Sequence, residues 1–135
     1  MALYTTYLSF LKKGAGYLDG KPHFIFADDT VKSAIFLYVM RNRGNNEVAP
    51  NIFILEEYKK DIMSWDKYAE LYTGSLSCSD SVEWIKQVAN NAIKKNVVLV
   101  CFEKDAMHCH RTLLAKEIVR THPDVKYEGE LHSPP

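Results

Sequence analysis

The run Val97-Val98-Leu99-Val100-Cys101-Phe102 has no polar residue at alternate positions, so as a strand it must be covered on both faces. Strands of that kind sit at the centre of parallel sheets, and a parallel neighbour is reached only through a crossover, usually a helix. The run therefore predicts an α/β layer structure.

The flanking segments supply the other layers. Ala2 to Thr6 predicts a first strand, and Leu8 to Lys13, closed by Gly14, a short helix. Gly14, Gly16, Gly20 and Pro22 punctuate a loop, after which His23 to Ala27 reads as a second strand. Asp28 and Asp29 offer oxygens to the free amides of a helix from Thr30 to about Asn42, ended by Gly44. Asn51 to Lys60 reads as a helix, with Ile52 to Leu55 also suiting a strand. Ser64 caps a helix over Trp65 to Thr73, stopped by Gly74. Ser79 or Asp80 opens the clearest helix, which sets Val82, Ile85, Val88, Ala89, Ala92 and Ile93 on one face. Asp105 can cap a helix over His108 to Arg120, stopped by His122-Pro123, and Val125 to Leu131 predicts an edge strand. The expected fold is α/β, a single-domain three-layer Rossmann-like arrangement over residues 1–135, with a small, mostly parallel sheet flanked by helices.

Composition narrows the partners. Seventeen basic and seventeen acidic residues cancel, so net charge gives no indication of nucleic acid, and an anion site has to be local. The start of the chain lacks the pattern of a signal peptide, and the longest apolar run, Ala34 to Met40, is far short of the roughly 20 residues that cross a bilayer. A cytoplasmic protein without a membrane span is the expectation. Three cysteines, Cys78, Cys101 and Cys109, argue against a disulfide framework and for reduced thiols, with a Cys101 to Cys109 bridge left open.

In parallel α/β sheets ligands collect beyond the carboxyl ends of the strands. That rule selects Glu103 to Met107 and the start of the following helix. Cys109, His110 and Arg111 fall in its first turn, where unpaired amides favour negative charge and a thiol shifts toward thiolate. Cys109 is then a candidate nucleophile, and packing as a small apolar residue is the alternative. Arg111 can hold a carboxylate or phosphate with two prongs, or pair with Glu103 or Asp105. Glu103 and His110 are candidates to move a proton. Cys101, His108, Cys109 and His110 include four soft-ligand side chains, but the spacing lacks a Cys-x-x-Cys or His-x-x-x-His pair, so no metal is expected. A phosphatase-like loop from Cys101 is disfavoured too, because Met107 stands where its arginine belongs and Glu103 and Asp105 would repel the anion.

Val97 to Asp105 followed by Cys109-His110-Arg111 resembles the signature of the domain of unknown function 488 family. Leu3-Tyr4-Thr5-Thr6-Tyr7, Ala49-Pro50 and Met63 to Tyr68 extend the likeness toward its archaeal members. The resemblance implies a compact Rossmann-like fold and no particular reaction or cofactor. Its signature positions here are Cys101, Glu103, Cys109, His110 and Arg111, with Tyr4 and Thr5 at the first strand as further substrate contacts. The arginine that members carry at the end of their second strand is missing from Ala27-Asp28-Asp29-Thr30, and Arg41 or Arg43 can substitute.

Three functions fit these residues. One is a small enzyme acting on a phosphate-bearing or nucleotide-like substrate, with Cys109, His110 and Glu103 as catalytic groups and Arg111, Tyr4 and Thr5 as binding groups. The second is a nucleotide or nucleic-acid binding module without turnover, and the third a purely structural signature. The expected partner is a small anionic or nucleotide-like ligand.

Overall fold

The computed structural model describes residues 1–13, 15–18, 21–24 and 34–131 of the chain. Four parallel strands form the main sheet: β1 (Leu3–Tyr7), β4 (Ile35–Tyr38), β5 (Val97–Cys101) and β6 (Tyr127–Glu130), in the order β4-β5-β1-β6. A separate antiparallel pair, β2 (Ala15–Leu18) and β3 (Lys21–Phe24), occupies much of the segment expected to be a loop, and it follows α1 (Leu8–Lys13). The remaining helices are α2 (Ile52–Lys59), α3 (Trp65–Ser75), α4 (Ser79–Lys94) and α5 (His110–Thr121). This is the mixed α/β, Rossmann-like arrangement expected from the sequence, and among the described residues no helix is long and apolar enough to cross a membrane.

The apolar run behaves as its composition requires. Every residue of β5 is buried, and β5 pairs with β1 on one side and β4 on the other. Val97, Leu99 and Cys101 face a core built with Tyr68 and Tyr72 of α3, Ile85, Val88 and Ala89 of α4, and Leu114, Ala115 and Ile118 of α5. Val98 and Val100 face the opposite side, against Phe10 of α1. Alternation along the strand thus sends successive residues into two different cores.

The helix expected from Thr30 to about Asn42 is corrected over its described part: Ile35–Tyr38 is the strand β4. Its backbone hydrogen bonds go to the parallel neighbour β5, and β-branched and aromatic side chains suit that position. Asn42 and Gly44, with φ of 65° and 87°, turn the chain after it instead of ending a helix. Asp28 and Asp29, and the Ala27 to Thr30 strand end, lie outside the described residues. The missing second-strand arginine is thereby reassessed, since the strand beside β5 ends at Tyr38 and is followed by Arg41-Asn42-Arg43.

Local signals set the helix starts. The Asn51 side chain accepts from the Phe53 amide at 2.8 Å and opens α2. Ser64 accepts from the Lys67 amide at 3.1 Å and opens α3, which runs through Gly74 to Ser75. Replacing Ser64 by alanine is expected to lower stability by about 1 kcal/mol, measured by chemical denaturation. In α4, which starts after Cys78, Val82 and Ile93 are half-exposed, contrary to the expected face. Ser81 takes the buried seam instead, its hydroxyl donating to the Glu47 carbonyl at 2.5 Å.

Candidate functional site

After Cys101 the chain leaves β5 at its carboxyl end and makes a short 3-10 turn, Ala106–His108, before α5 begins at His110. Asp105 caps that turn by accepting from the Met107 amide at 3.0 Å, so it is not the cap of α5. Cys109 holds the cap position, and its side chain makes no capping bond. Cys109 is itself buried and lines the cleft.

Two adjoining cavities open there. The larger, about 340 Å³, is walled by Tyr58, Trp65 and Tyr68, with Asp105, His108, Cys109 and His110 across from them. The smaller, about 150 Å³, is bounded by Arg41, Ile52, Cys101 and Phe102. Both include Leu55, Lys59, Glu103, Cys109 and His110, which makes them two arms of one cleft. The aromatic wall is preassembled: Tyr58 stacks on Tyr68 with centroids 5.0 Å apart, and Trp65 lies 5.5 Å from Tyr58. His108 meets the Trp65 ring edge-on at 5.3 Å, with its Nδ1 2.6 Å from an Asp105 carboxylate oxygen.

His110 is held from several directions. Its Nε2 lies 2.6 Å from the Val39 carbonyl, which can only accept, so that nitrogen carries a hydrogen. Tyr72 packs edge-on against the ring at 5.4 Å. The other nitrogen, Nδ1, is 3.9 Å from the Cys109 sulfur. The two buried thiols are driven apart in acidity. Cys109 is pushed well below the ordinary cysteine range by the Cys101 thiol beside it, then by His110 and the Arg111 charge, against the opposing effect of burial. Cys101 is pushed up, chiefly by burial and then by its neighbour Cys109. The arrangement favours a Cys109 thiolate beside the Cys101 thiol, with His110 Nδ1 placed as the nitrogen that can take the Cys109 proton.

The sulfurs of Cys101 and Cys109 and a ring nitrogen of His110 lie within 4.8 Å of one another, which raises a metal centre again. The ring orientation does not fit one. Cys101 Sγ is 3.3 Å from Nε2 but 3.9 Å from Nδ1, so it sits beside the nitrogen already bonded to Val39 rather than in front of the free one.

Arg111 is fully buried and engaged. Its guanidinium donates to both carboxylate oxygens of Glu130, at 3.0 and 2.5 Å, and to the carbonyls of Glu103 at 2.6 Å and Lys104 at 3.2 Å. It ties β6 and the strand-to-helix loop together, and its role in the cleft is through its charge. The Glu103 side chain is half-exposed and pairs with Lys59 at 3.2 Å instead of with Arg111. Glu103 therefore lines the cleft as a solvated carboxylate.

Tyr4 and Thr5 are not brought to the cleft. Tyr4 sides with the Phe10 core and borders a hollow near Met1 and Lys126, at the opposite ends of the strands. Thr5 is buried, its hydroxyl 2.7 Å from the Tyr127 hydroxyl. The cleft residues that sequence reasoning did not single out as site groups are Tyr58, Lys59 and Tyr68.

A family model described as the active DUF488-N3 subclade, DUF488-N3a, matches residues 42–122. The match takes in every cleft residue except Met40 and Arg41. No curated protein and no solved structure matches the chain.

Proposed function

This chain belongs to the DUF488 family, and from that premise we propose that it is a small enzyme whose Cys109 attacks a phosphate-bearing or nucleotide-like substrate in the cleft. The observation that carries the reading is the setting of Cys109: a helix-cap sulfur beside an imidazole whose far nitrogen is anchored to the Val39 carbonyl. That is the logic of a nucleophile, a proton carrier and an orienting group. The active subclade named in the family match supports turnover over binding alone.

The substrate class follows from the walls. Tyr58 and Trp65 offer partly exposed ring surface on which a flat base can stack. Arg41 borders the same cleft and carries the positive charge an anionic group needs, and half-exposed Lys59 can join it by exchanging its Glu103 partner, whereas Arg111 is held by four bonds to Glu130 and two carbonyls. His110 receives and returns the proton, and Glu103 is a second, more solvated carrier at the rim.

The test is alkylation by iodoacetamide across pH, read residue by residue by mass spectrometry. Cys109 is expected to react at a nearly constant rate from pH 8 down to about pH 6, where an ordinary thiol with a pKa of ~8.5 slows steeply. AMP is expected to protect it. A Cys109 profile that falls like an ordinary thiol removes the nucleophile. AMP binding without any such reactivity would favour the non-catalytic module.

A further inference from the structure

The buried end of the cleft holds two sulfurs with unequal access. Both Cys101 and Cys109 are free thiols, and their sulfurs lie within 4.8 Å. Cys109 borders both arms of the cleft, whereas Cys101 borders only the smaller arm. A small molecule entering the larger arm meets Cys109 and not Cys101. The geometry points to a two-cysteine site that reduces hydroperoxides, in which Cys109 is oxidised first and Cys101 then closes on it as a disulfide.

The atoms balance as follows. Cys109 gives its proton to His110 Nδ1, and the resulting thiolate attacks the terminal oxygen of the hydroperoxide; a sulfur–oxygen bond forms, the oxygen–oxygen bond breaks, and the departing alkoxide takes that proton back from Nδ1. Cys109 is now a sulfenic acid. The Cys101 sulfur attacks it, the sulfur–sulfur bond forms, and hydroxide leaves with the Cys101 proton as water. Two thiols have been oxidised and one hydroperoxide reduced to an alcohol and water. An external dithiol returns the pair to its starting state.

Three features favour this sequence over random oxidation. The first thiol is the one whose neighbours stabilise its anion, and susceptibility follows thiolate character and access. The second is protonated and already adjacent, so the sulfenic acid meets it before a second oxidant. The sulfurs must still approach to ~2.05 Å, and because Arg111 holds the carbonyls of Glu103 and Lys104 the approach falls to side-chain rotation and a shift of Cys109 at the helix cap. Cys78, exposed at the start of α4, provides an internal comparison.

The experiment treats the reduced full-length chain with hydrogen peroxide, blocks remaining thiols, and digests with trypsin. Cleavage after Lys95, Lys104 and Arg111 puts the two cysteines on separate peptides, Asn96 to Lys104 and Asp105 to Arg111. The expected result is a linked pair of these peptides, two hydrogens lighter than their sum and separated by dithiothreitol. In Cys101→Ser, dimedone is expected to trap Cys109 as its sulfenic adduct. The proposal is overturned if Cys109 of the folded wild-type protein stays a thiol, goes directly to sulfinic acid, or links only to Cys78. Because the linked peptide is read in the wild-type chain, a variant that fails to fold does not spoil the answer. An unlinked Cys109 that still alkylates at low pH would sink this inference and leave the proposed enzyme standing.

Discussion

Arg111→Ala is expected to lower the unfolding free energy by about 3–5 kcal/mol, the cost typical of removing one partner from a buried ion pair. The arginine is wholly buried, and the carboxylate it would abandon, on Glu130, is only 17% exposed. The carbonyls of Glu103 and Lys104 would lose their donor at the same time. Arg111→Lys keeps the charge but cannot supply a planar fork to Glu130 and two carbonyls together, so it is expected to recover only part of the loss. Arg111→Met combined with Glu130→Gln should cost less than Arg111→Ala, because no unpaired charge remains. Urea denaturation at neutral pH measures all three. A loss under about 1 kcal/mol for Arg111→Ala would put the pair in the class of exposed salt bridges.

His110→Ala is expected to slow Cys109 alkylation at pH 6 by roughly three- to tenfold. An ordinary thiol is only about 0.3% ionised at that pH, while a strongly acidified one is almost fully ionised. The difference in rate is smaller than the difference in ionisation, because nucleophilicity falls with pKa at a Brønsted slope of ~0.4–0.5. Cys101, the larger contributor to the shift, remains in the variant, so only part of the advantage is lost. Folding must be checked alongside, since the Val39 carbonyl loses its partner. An unchanged rate at pH 6 in a folded variant would remove His110 from the nucleophile's environment. The depressed Cys109 pKa also carries a sign for stability. Its contribution is complete above the unfolded pKa of ~8.5 and fades as pH falls through the folded value.

The sequence disclosed its central strand because burial on both faces leaves a composition that little else produces. The same logic applied to Ala34 to Met40, another unbroken apolar run, yet the caps at Asp28 and Asp29 and the terminator Gly44 argued for a helix. Tertiary pairing with β5 decided for a strand over Ile35–Tyr38. Within the signature segment, Cys109 and His110 were read at a helix start, but the Cys101 thiol and the Val39 carbonyl that shape their chemistry come from other elements of the sheet. Arg111 was harder to read, since its partner Glu130 lies nineteen residues on and across β1 from β5. Tyr4 and Thr5 entered through resemblance, but strand direction puts them below the ligand end. The assembly of the aromatic wall was not legible, because Tyr58 and Trp65 come from different helices and only their packing makes a cavity.

The position of β1 has a further consequence, for the growing chain. Its pairing partners in the main sheet are β5 and β6, beginning with Leu3 opposite Val97. β1 therefore waits for partners that lie more than ninety residues further along the chain. At a synthesis rate of ~5–20 residues per second, that interval is roughly 5–20 seconds. During it the buried residues Leu3, Thr5 and Thr6 have no sheet to join. Loop closure over so many residues makes this a slow, high-contact-order step in spontaneous refolding as well. An unpaired β1 is apolar chain held open until β5 and β6 exist, and the cleft at the far end of β5 is among the parts that take shape only after that pairing.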